Sequence, residues 1–447
     1  MADTLFAPAS APGRAAIAIW RLSGPDVAAG LRALTGRAPP PPRRASLRRL
    51  IDPTTGAVLD EALVLWFPGP ESFTGEDSAE LHTHGGRAVA EALTSALSAL
   101  PGFRMAEPGE FTRRAVLNGR LDLTAAEAIA DLTAAETEAQ RLQALAQAKG
   151  GLSALYDGWR EDLIQLRAHL EADIEFPDED IGDPVAQLSG QLEQLRAAIA
   201  AHLADAWRGE RLREGLTIAI VGAPNAGKSS LINILTRRNV AIVSPEAGTT
   251  RDLIEVHLDL GGYPVILIDT AGLREVGGGI EAEGIARARA RAASSDLVLA
   301  LFATDSPPDA ETMALIDERT IVVASKMDLL PVQPPPRPNP RPAGAREPEA
   351  MAISTKTNLG IDTLLAAITA RAGELLADRG TPPPTRVRHR EALAQCLAAL
   401  DGARVAPLPE LTAEELRRAG DALGRITGRI DIEDMLDSVF RDFCIGK

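Results

Sequence analysis

Lysine is nearly missing from this chain. Of its 47 basic residues only five are lysines, Lys149, Lys228, Lys326, Lys356 and Lys447, and the other 42 are arginines. A GC-rich genome accounts for such a bias; still, a compact ammonium and a planar guanidinium are not interchangeable, so a retained lysine can mark a place where a point charge is needed. Cysteine is scarcer still, with Cys396 and Cys444 alone. Two thiols make no disulfide framework, which excludes a cross-linked secreted scaffold and fits a reducing cytoplasm. No run approaches the ~18 consecutive apolar residues of a membrane span. The opening MADTLFAPAS has neither a basic start nor an apolar core, so no secretory signal is expected and the reading is cytoplasmic. Positive charge is not in excess either: the net charge is −15. That argues against indiscriminate nucleic-acid binding by the chain as a whole.

What is present is ordinary globular material. Apolar residues make up 45% and charged residues 24% of 447, which excludes whole-chain disorder. At ~150 residues per domain the length suggests about three domains. The charge is uneven. Residues 1–50 hold eight arginines against Asp3 and Asp26, a local +6, and residues 157–183 hold ten acids against two arginines, a local −8. A polyanion has a place to bind in the first region. The acidic run Asp173–Asp183 reads as a solvated helix end or a partner-docking segment.

Proline marks the joints. Pro39–Pro42, the stretch 331–348 and Pro382–Pro384 cannot continue a helix or a central strand. Residues 1–118 mix short strands (Ile17–Leu22, Ala62–Phe67) with helical stretches, an α+β pattern. Residues 119–210 read as long amphipathic helices. Their apolar stripes run Ile129, Leu132, Ala135, Ala139, Leu142, Leu145; then Leu152, Leu155, Trp159, Leu163, Leu166, Leu170, Ile174; then Val185, Leu188, Leu192, Leu195, Ile199. Steps of three and four put each set on one helix face. Residues 215–375 alternate β-rich runs (Thr217–Val221, Val265–Ile268, Leu297–Phe302, Ile321–Ala324) with helical stretches, the pattern of a doubly wound sheet. Residues 380–447 return to helix with Leu416, Leu423, Ile426 and Ile430 in one stripe. Such helices need a partner, and the earlier helices supply one. The expected architecture is therefore an α+β N-terminal domain, a discontinuous all-α domain and an inserted α/β domain.

The inserted region carries the chemistry. Gly222-Ala-Pro-Asn-Ala-Gly227-Lys228-Ser229 fits G-x-x-x-x-G-K-[ST], between a β-rich run and a helical run, Ser230–Leu235. Backbone N–H groups of Asn225, Ala226 and Gly227 cradle phosphate oxygens there. Lys228 reaches the β- and γ-phosphates, and Ser229 offers a hydroxyl to Mg²⁺. Gly248-Thr249-Thr250-Arg251-Asp252 follows a loop later, and Thr250 can supply the second hydroxyl. Asp269-Thr270-Ala271-Gly272 ends a buried run. Its aspartate can hold the Mg²⁺ shell through water, and the Gly272 amide can sense a γ-phosphate. Ser325-Lys326-Met327-Asp328 ends another strand. The Asp328 carboxylate can accept two hydrogen bonds from guanine, a pair that adenine does not offer. The usual first residue of this motif is Asn; here it is Ser325. Ser354-Thr355-Lys356 would close over the base. In this order and spacing the five stretches resemble the translation-factor-related GTPases.

Many GTPases place a glutamine after the DTAG-type stretch to orient the attacking water. Leu273 stands there and cannot. Asn225 offers a side-chain oxygen near the phosphates. The loop of Ser244, Pro245, Glu246, Ala247, Gly248 and Thr249 has carbonyls to complete a cage for a monovalent cation, which would supply the charge that an arginine gives elsewhere. Glu281, before a helical stretch, can hold the water.

Beyond these motifs, the chain resembles the MnmE (TrmE) family of bacterial tRNA-modification GTPases along essentially its whole length. The resemblance rests on Ala11-Pro12-Gly13-Arg14, Arg21-Leu22-Ser23-Gly24, Ser72-Phe73-Thr74-Gly75-Glu76-Asp77, His84-Gly85-Gly86 and Pro108-Gly109-Glu110-Phe111-Thr112. It continues in Leu121-Asp122-Leu123, Ala126-Glu127-Ala128-Ile129-Ala130-Asp131 and Phe443-Cys444-Ile445-Gly446-Lys447. It implies a folate-binding, homodimerising N-terminal domain, a split helical domain and an inserted GTPase domain. It implies K⁺-stimulated hydrolysis of GTP, with Asn225, Ser244, Glu246 and Thr249 around K⁺, Ser229 and Thr250 on Mg²⁺, and Glu281 orienting the water. Arg21, Glu80, Arg120 and Lys447 match the folate contacts, although the family often has lysine where Arg120 stands. Cys444 would belong to the modification chemistry. The implied partners are tRNA and a flavin-containing MnmG-type protein, forming a heterotetramer. With 5,10-methylene- or 5-formyl-tetrahydrofolate as one-carbon source, the two would install an aminomethyl-type or carboxymethylaminomethyl group on the wobble uridine.

Other features carry weaker readings. His82-x-His84 has no evident third metal ligand. Arg386-Val-Arg-His-Arg390 reads equally as a tRNA contact or a solvated surface. The competing function is a ribosome-assembly switch of the Era/EngA type. Such proteins carry an RNA-binding domain after the GTPase domain; here that part is helical and shows no GXXG pattern in a basic context.

Overall fold

The computed structural model describes residues 3–175, 184–238, 240–242, 255–269, 289–329, 350–430, 436, 439, 440, 443 and 446, the side chains of 173, 184–188 and 269 excepted. They form two compact units: Met1–Ala130, Gln147–Leu195 and Ala392–Lys447; and Asp131–Ala146 with Arg196–Glu391. Among the described residues no helix is long and apolar enough to cross a membrane.

The first unit holds strands β1 (Thr4–Pro8), β2 (Ala15–Ser23), β3 (Ser46–Ile51), β4 (Val58–Phe67), β5 (Ser78–Gly85) and β6 (Phe103–Met105), in the order β3-β4-β5-β2-β1-β6. Neighbours are antiparallel except β1 and β6. Alternation along β5 buries Ala79, Leu81 and Thr83 and turns Glu80, His82 and His84 to the other face. Helices α1 (Val27–Thr35) and α2 (Arg87–Ser98) close the buried face. Leu31, Leu34, Leu93 and Leu97 pack there on Trp20, Leu22, Val64 and Leu81. Helix α3 (Glu110–Leu117) leads to α4 (Leu123–Ala134), where Val116, Leu123 and Ala126 pack with Leu436, Phe440 and Phe443.

The stripe Ile129–Leu145 predicts one continuous helix, and the structure corrects this. Helix α4 stops at Ala134 and α5 (Glu138–Ala148) starts after a break. Gln140 makes the break. Its side-chain oxygen accepts from the N–H groups of Glu136 (2.9 Å) and Thr137 (3.0 Å), which a continuous helix would give to Leu132 and Thr133. Thr137 and Gln140 thus form a capping box that starts α5. Leu132 and Leu142 remain exposed. The stripe over 152–170 does lie on one face of α6 (Gly151–Glu175), which buries Leu152, Leu163, Leu166 and Leu170. In the third stripe, on α7 (Pro184–Ala204), Leu192, Leu195 and Ile199 are buried. The acidic run from residue 176 onward lies outside the described residues.

The second unit is built on β7 (Leu216–Gly222), β8 (Glu255–Leu260), β9 (Tyr263–Asp269), β10 (Leu297–Ala303), β11 (Thr320–Ser325) and β12 (Met351–Ala352), in the order β12-β11-β10-β7-β9-β8. Every pair is parallel except β8 with β9. Near-continuous Val/Ile/Leu runs suit strands buried on both faces. Helices α8 (Ala206–Glu214), α9 (Lys228–Thr236) and α10 (Ile361–Leu376) cover them; Leu212, Leu231, Leu364 and Ile368 enter the core. The strand order reverses beside β7, so the loop leaving β7 opens onto a crevice at the carboxyl ends of the strands. Residues 131–146 belong to this unit: the Ala139 N–H donates to Gly262 O at 2.9 Å.

The chain enters and leaves this sheet through a clamp. Arg208 is 2% exposed. It donates to the Asp205 carboxylate, to Ala377 O at 3.1 Å and to Thr381 O at 3.3 Å. A Cβ on the neighbouring Gly209 would overlap the Pro384 carbonyl oxygen. In the stretch 386–390, Arg386 is half-buried and Arg390 exposed. Arg386 pairs with Asp131 at 2.6 Å, Arg390 pairs with Glu210 at 3.0 Å, and His389 is fully buried at the start of α11 (Val387–Val405). In the first unit the last long helix, α12 (Pro409–Thr427), packs along α6, with Leu416, Leu423 and Ile426 buried.

Candidate nucleotide-binding site

Strand β7 ends in the glycine-rich loop, and α9 begins at Lys228. The loop needs unusual backbone. Asn225 has φ 62° and Gly227 φ 98°, a region that glycine enters freely and Asn tolerates. Ala226 is buried, while Asn225, Ser229 and Ser230 face solvent at the helix N-terminus. Lys228 is 8% exposed, and its Nζ donates to Gly222 O at 2.7 Å and Ala223 O at 2.9 Å. The loop thus curls around its own ammonium. Exposed N–H groups and hydroxyls at a helix N-terminus, beside a lysine, make an anion cradle with hard oxygen donors for a cation.

Two further stretches arrive at the same edge. Strand β11 ends at Ser325, and the residues after β12 carry Ser354 and Lys356. The Ser354 hydroxyl donates to Asp328 Oδ1 at 2.7 Å. Ser354 Oγ itself accepts from the N–H groups of Lys356 (3.3 Å) and Thr357 (3.2 Å). The Ser354 hydroxyl, helped by the charges of Lys356 and Lys326, holds the Asp328 carboxyl below the usual range. Asp328 is therefore an ionised, exposed acceptor. Thr304 holds the turn before it through Ser325 O and Lys326 O. Lys326, at φ 61°, pairs with Asp305 at 2.8 Å. Thr355 is half-buried beside them. Thr304 and Asp305 escaped the sequence reading because they belong to no motif.

Ser325 has a definite task. It is 1% exposed and its Oγ donates to Ala226 O at 2.6 Å, joining the base side of the crevice to the phosphate loop. Ser325→Ala would leave a buried carbonyl unpaired, at about 1–2 kcal/mol. Titration with a fluorescent nucleotide is expected to show ~5–30-fold weaker binding; unchanged affinity would show that the hydroxyl does not brace the loop.

Ser244, Pro245, Glu246, Ala247, Gly248, Thr249, Thr250, Thr270, Ala271, Gly272 and Glu281 lie outside the described residues. Of Asp269 the backbone is described: it ends β9 paired with Ile220, two residues before the phosphate loop.

A second group sits on the face of the first unit's sheet opposite α1 and α2. Arg21 and Glu80 are cross-strand partners, Nη2 to Oε1 at 3.4 Å. The guanidinium lies 5.3 Å from the centre of the Phe73 ring. Arg120 pairs with Glu71 at 3.7 Å and borders Gly75, so it reaches the 71–76 loop that also carries Phe73. His82 bonds Glu80 at 3.2 Å, and His84 bonds Asp60 at 2.8 Å. Among the described residues no cluster of three His, Cys, Asp or Glu could hold a metal. The sequence points to Glu80 as a folate contact and to His82 only with His84, as a metal pair without a third ligand; alternation along the strand puts Glu80 and His82 on one face.

Cys444 and Lys447 lie outside the described residues, but Gly446 between them is described. It has φ 93°, and a Cβ there would overlap the Pro8 carbonyl oxygen at the end of β1. Gly446→Val combines left-handed strain with that overlap and is expected to cost more than ~1 kcal/mol. Calorimetric unfolding would read this; an unchanged transition would mean that residues 8 and 446 do not meet in solution. Cys396 is buried, and burial pushes its thiol up to about 12, so it is inert.

A parallel sheet, the Gly222–Ser229 loop at its switch point and a helix starting on that loop define a P-loop nucleotide-binding protein. Comparison with known proteins narrows this. A family model described as "MnmE helical domain" matches residues 123–444, and one described as "GTP-binding protein TrmE N-terminus" matches residues 4–120. Curated proteins named "tRNA modification GTPase MnmE" match end to end. The one from Rhodospirillum rubrum is 55% identical over 100% of this chain and 99% of its own length. Those from Parvibaculum lavamentivorans (53%) and Paramagnetospirillum magneticum (54%) cover 100% of both chains. The chain belongs to the MnmE family.

Proposed function

We propose that this protein is a GTPase that couples hydrolysis to modification of the wobble uridine in tRNA. The observation that carries the reading is the meeting of three motifs at one crevice. Lys228 lies in the phosphate loop, and Ser325 ties that loop to the strand end that presents Asp328, held by Ser354. In this reading the loop N–H groups and Lys228 bind the phosphates, and Asp328 accepts both N–H edges of guanine. Exposed Ser229 and Asn225 offer oxygen donors of the kind that Mg²⁺ and K⁺ prefer, with Thr250, Ser244, Glu246 and Thr249 assigned by family resemblance. Bound cations would supply positive charge against the phosphate oxygens. Glu281, assigned the same way, would orient the water, since Leu273 cannot.

The proposal extends to the first unit. Arg21, Glu80 and Arg120, with Lys447, would hold a reduced folate as one-carbon donor, and Cys444 would serve the modification, Cys396 being buried. The domains proposed are 1–118, 119–210, 215–375 and 380–447. A homodimer, a flavin-containing MnmG-type partner and a cytoplasmic setting complete the reading, on family resemblance. Two measurements test it. The purified chain should hydrolyse GTP faster in K⁺ than in Na⁺. Nucleoside mass spectrometry of tRNA from a strain lacking the protein should show loss of the wobble-uridine modification. Intact modification in a strain without a redundant enzyme would favour a ribosome-assembly role instead.

A further inference from the structure

The polar residue next to Glu80 on the open sheet face has no role in the reading above. On β5, Glu80 and His82 point the same way, and each lies between two strands. Glu80 is opposite Arg21 on β2 and Leu65 on β4; His82 is opposite Ile19 on β2 and Leu63 on β4. His82 is therefore flanked by aliphatic residues, and its Nε2 meets Glu80 Oε2 at 3.2 Å. Both side chains are only about a quarter exposed, at 25% and 23%. A carboxylate oxygen can only accept, so this nitrogen must carry the hydrogen. Arg21 holds the other oxygen, and Phe73 lies against Arg21, 38% exposed.

A carboxylate has about four acceptor positions. Among the described residues two are taken, one per oxygen, by Arg21 and His82. Those that remain can take a pair of adjacent N–H groups on a planar heterocycle, with an aromatic ring close by to cover it. We propose that His82 is a positioning residue: its Nε2–H fixes the Glu80 carboxylate so that its free lone pairs receive the amino-amide edge of a reduced pterin. This deepens the folate reading and rests on it.

Calorimetric titration of the full chain with 5-formyl-tetrahydrofolate tests the idea, using His82→Leu and His82→Gln. Leu fills the space without a donor; Gln returns an N–H at similar reach. His82→Leu is expected to bind ~10–150-fold more weakly, the worth of a hydrogen bond to a charged group, and His82→Gln within ~2-fold of the unsubstituted chain. Leu binding as well as histidine overturns the inference, as does equal loss in both variants, which would mark packing rather than donation. If the unsubstituted chain binds no folate, the folate reading fails and takes this inference with it; the other two results leave that reading standing.

Discussion

Asp328→Asn is expected to lower kcat/KM for GTP by ~10³-fold or more and to raise it for xanthosine triphosphate. The carboxylate is ionised and held from behind by the Ser354 hydroxyl at 2.7 Å. Guanine presents N1–H and a 2-amino group, two donors for two oxygens. An asparagine can match only one of them, and its own N–H₂ would face the 2-amino group, donor against donor. Xanthine carries an oxygen in place of that amine and restores the match. Steady-state kinetics with both nucleotides decides. Undiminished GTP turnover would mean that Asp328 does not read the base, and a loss without rescue by xanthosine triphosphate would mean a structural role.

Arg208→Ala is expected to cost ~3–5 kcal/mol, because it removes the buried member of an ion pair and leaves Asp205 only the exposed Arg379, at 3.0 Å. Arg208 is 2% exposed and satisfies the Asp205 carboxylate and the carbonyls of Ala377 and Thr381 at once. Its loss frees the two chain crossings that it joins, so the second unit should unfold first in calorimetry. Adding Asp205→Asn removes a charge left with one exposed partner, Arg379, and is expected to return part of the loss. The same joint has an acid-side signature. His202 is buried, and burial, reinforced by His389 and Arg208, lowers its pKa from 6.5 to about 4. The unfolded chain takes that proton first, so stability should rise with pH between about 4 and 6.5 and stay level above. A flat profile through that window in the unsubstituted chain would contradict the burial of His202.

How far the sequence could carry these conclusions depended on whether the signal was local. The strands at 217–221, 265–268, 297–302 and 321–324 were legible because apolar runs and motif glycines punctuate them, and β7, β9, β10 and β11 contain them. The break between α4 and α5 was spelled locally too, in the Thr137–Gln140 capping box, but a stripe of apolar spacing overrode it. The short β12, two residues long, gives no periodicity to read. Contacts made across long separations were not legible at all. Ser325 was recognised as a departure from Asn, yet its bond to Ala226 spans 99 residues and depends on how closely β11 approaches the loop. His82 was weighed as a metal ligand because the eye pairs it with His84, while the fold pairs it with Glu80. The bond from Arg386 to Asp131, 255 residues away, belongs to the same class.

The meeting of Gly446 with Pro8 has a kinetic meaning. Residue 8 leaves the ribosome long before residue 446 is made, and chains fold from the N-terminal side as they emerge. The sheet around β1 can form early from hairpin-like pairings such as β1 with β2. Its contact with Gly446 closes a loop of nearly the whole chain and is among the most non-local in the molecule. Synthesis therefore completes the end of β1 in a separate, late event. A chain stopped short of residue 446 would carry a folded nucleotide unit without the contact that Gly446 makes at the end of β1.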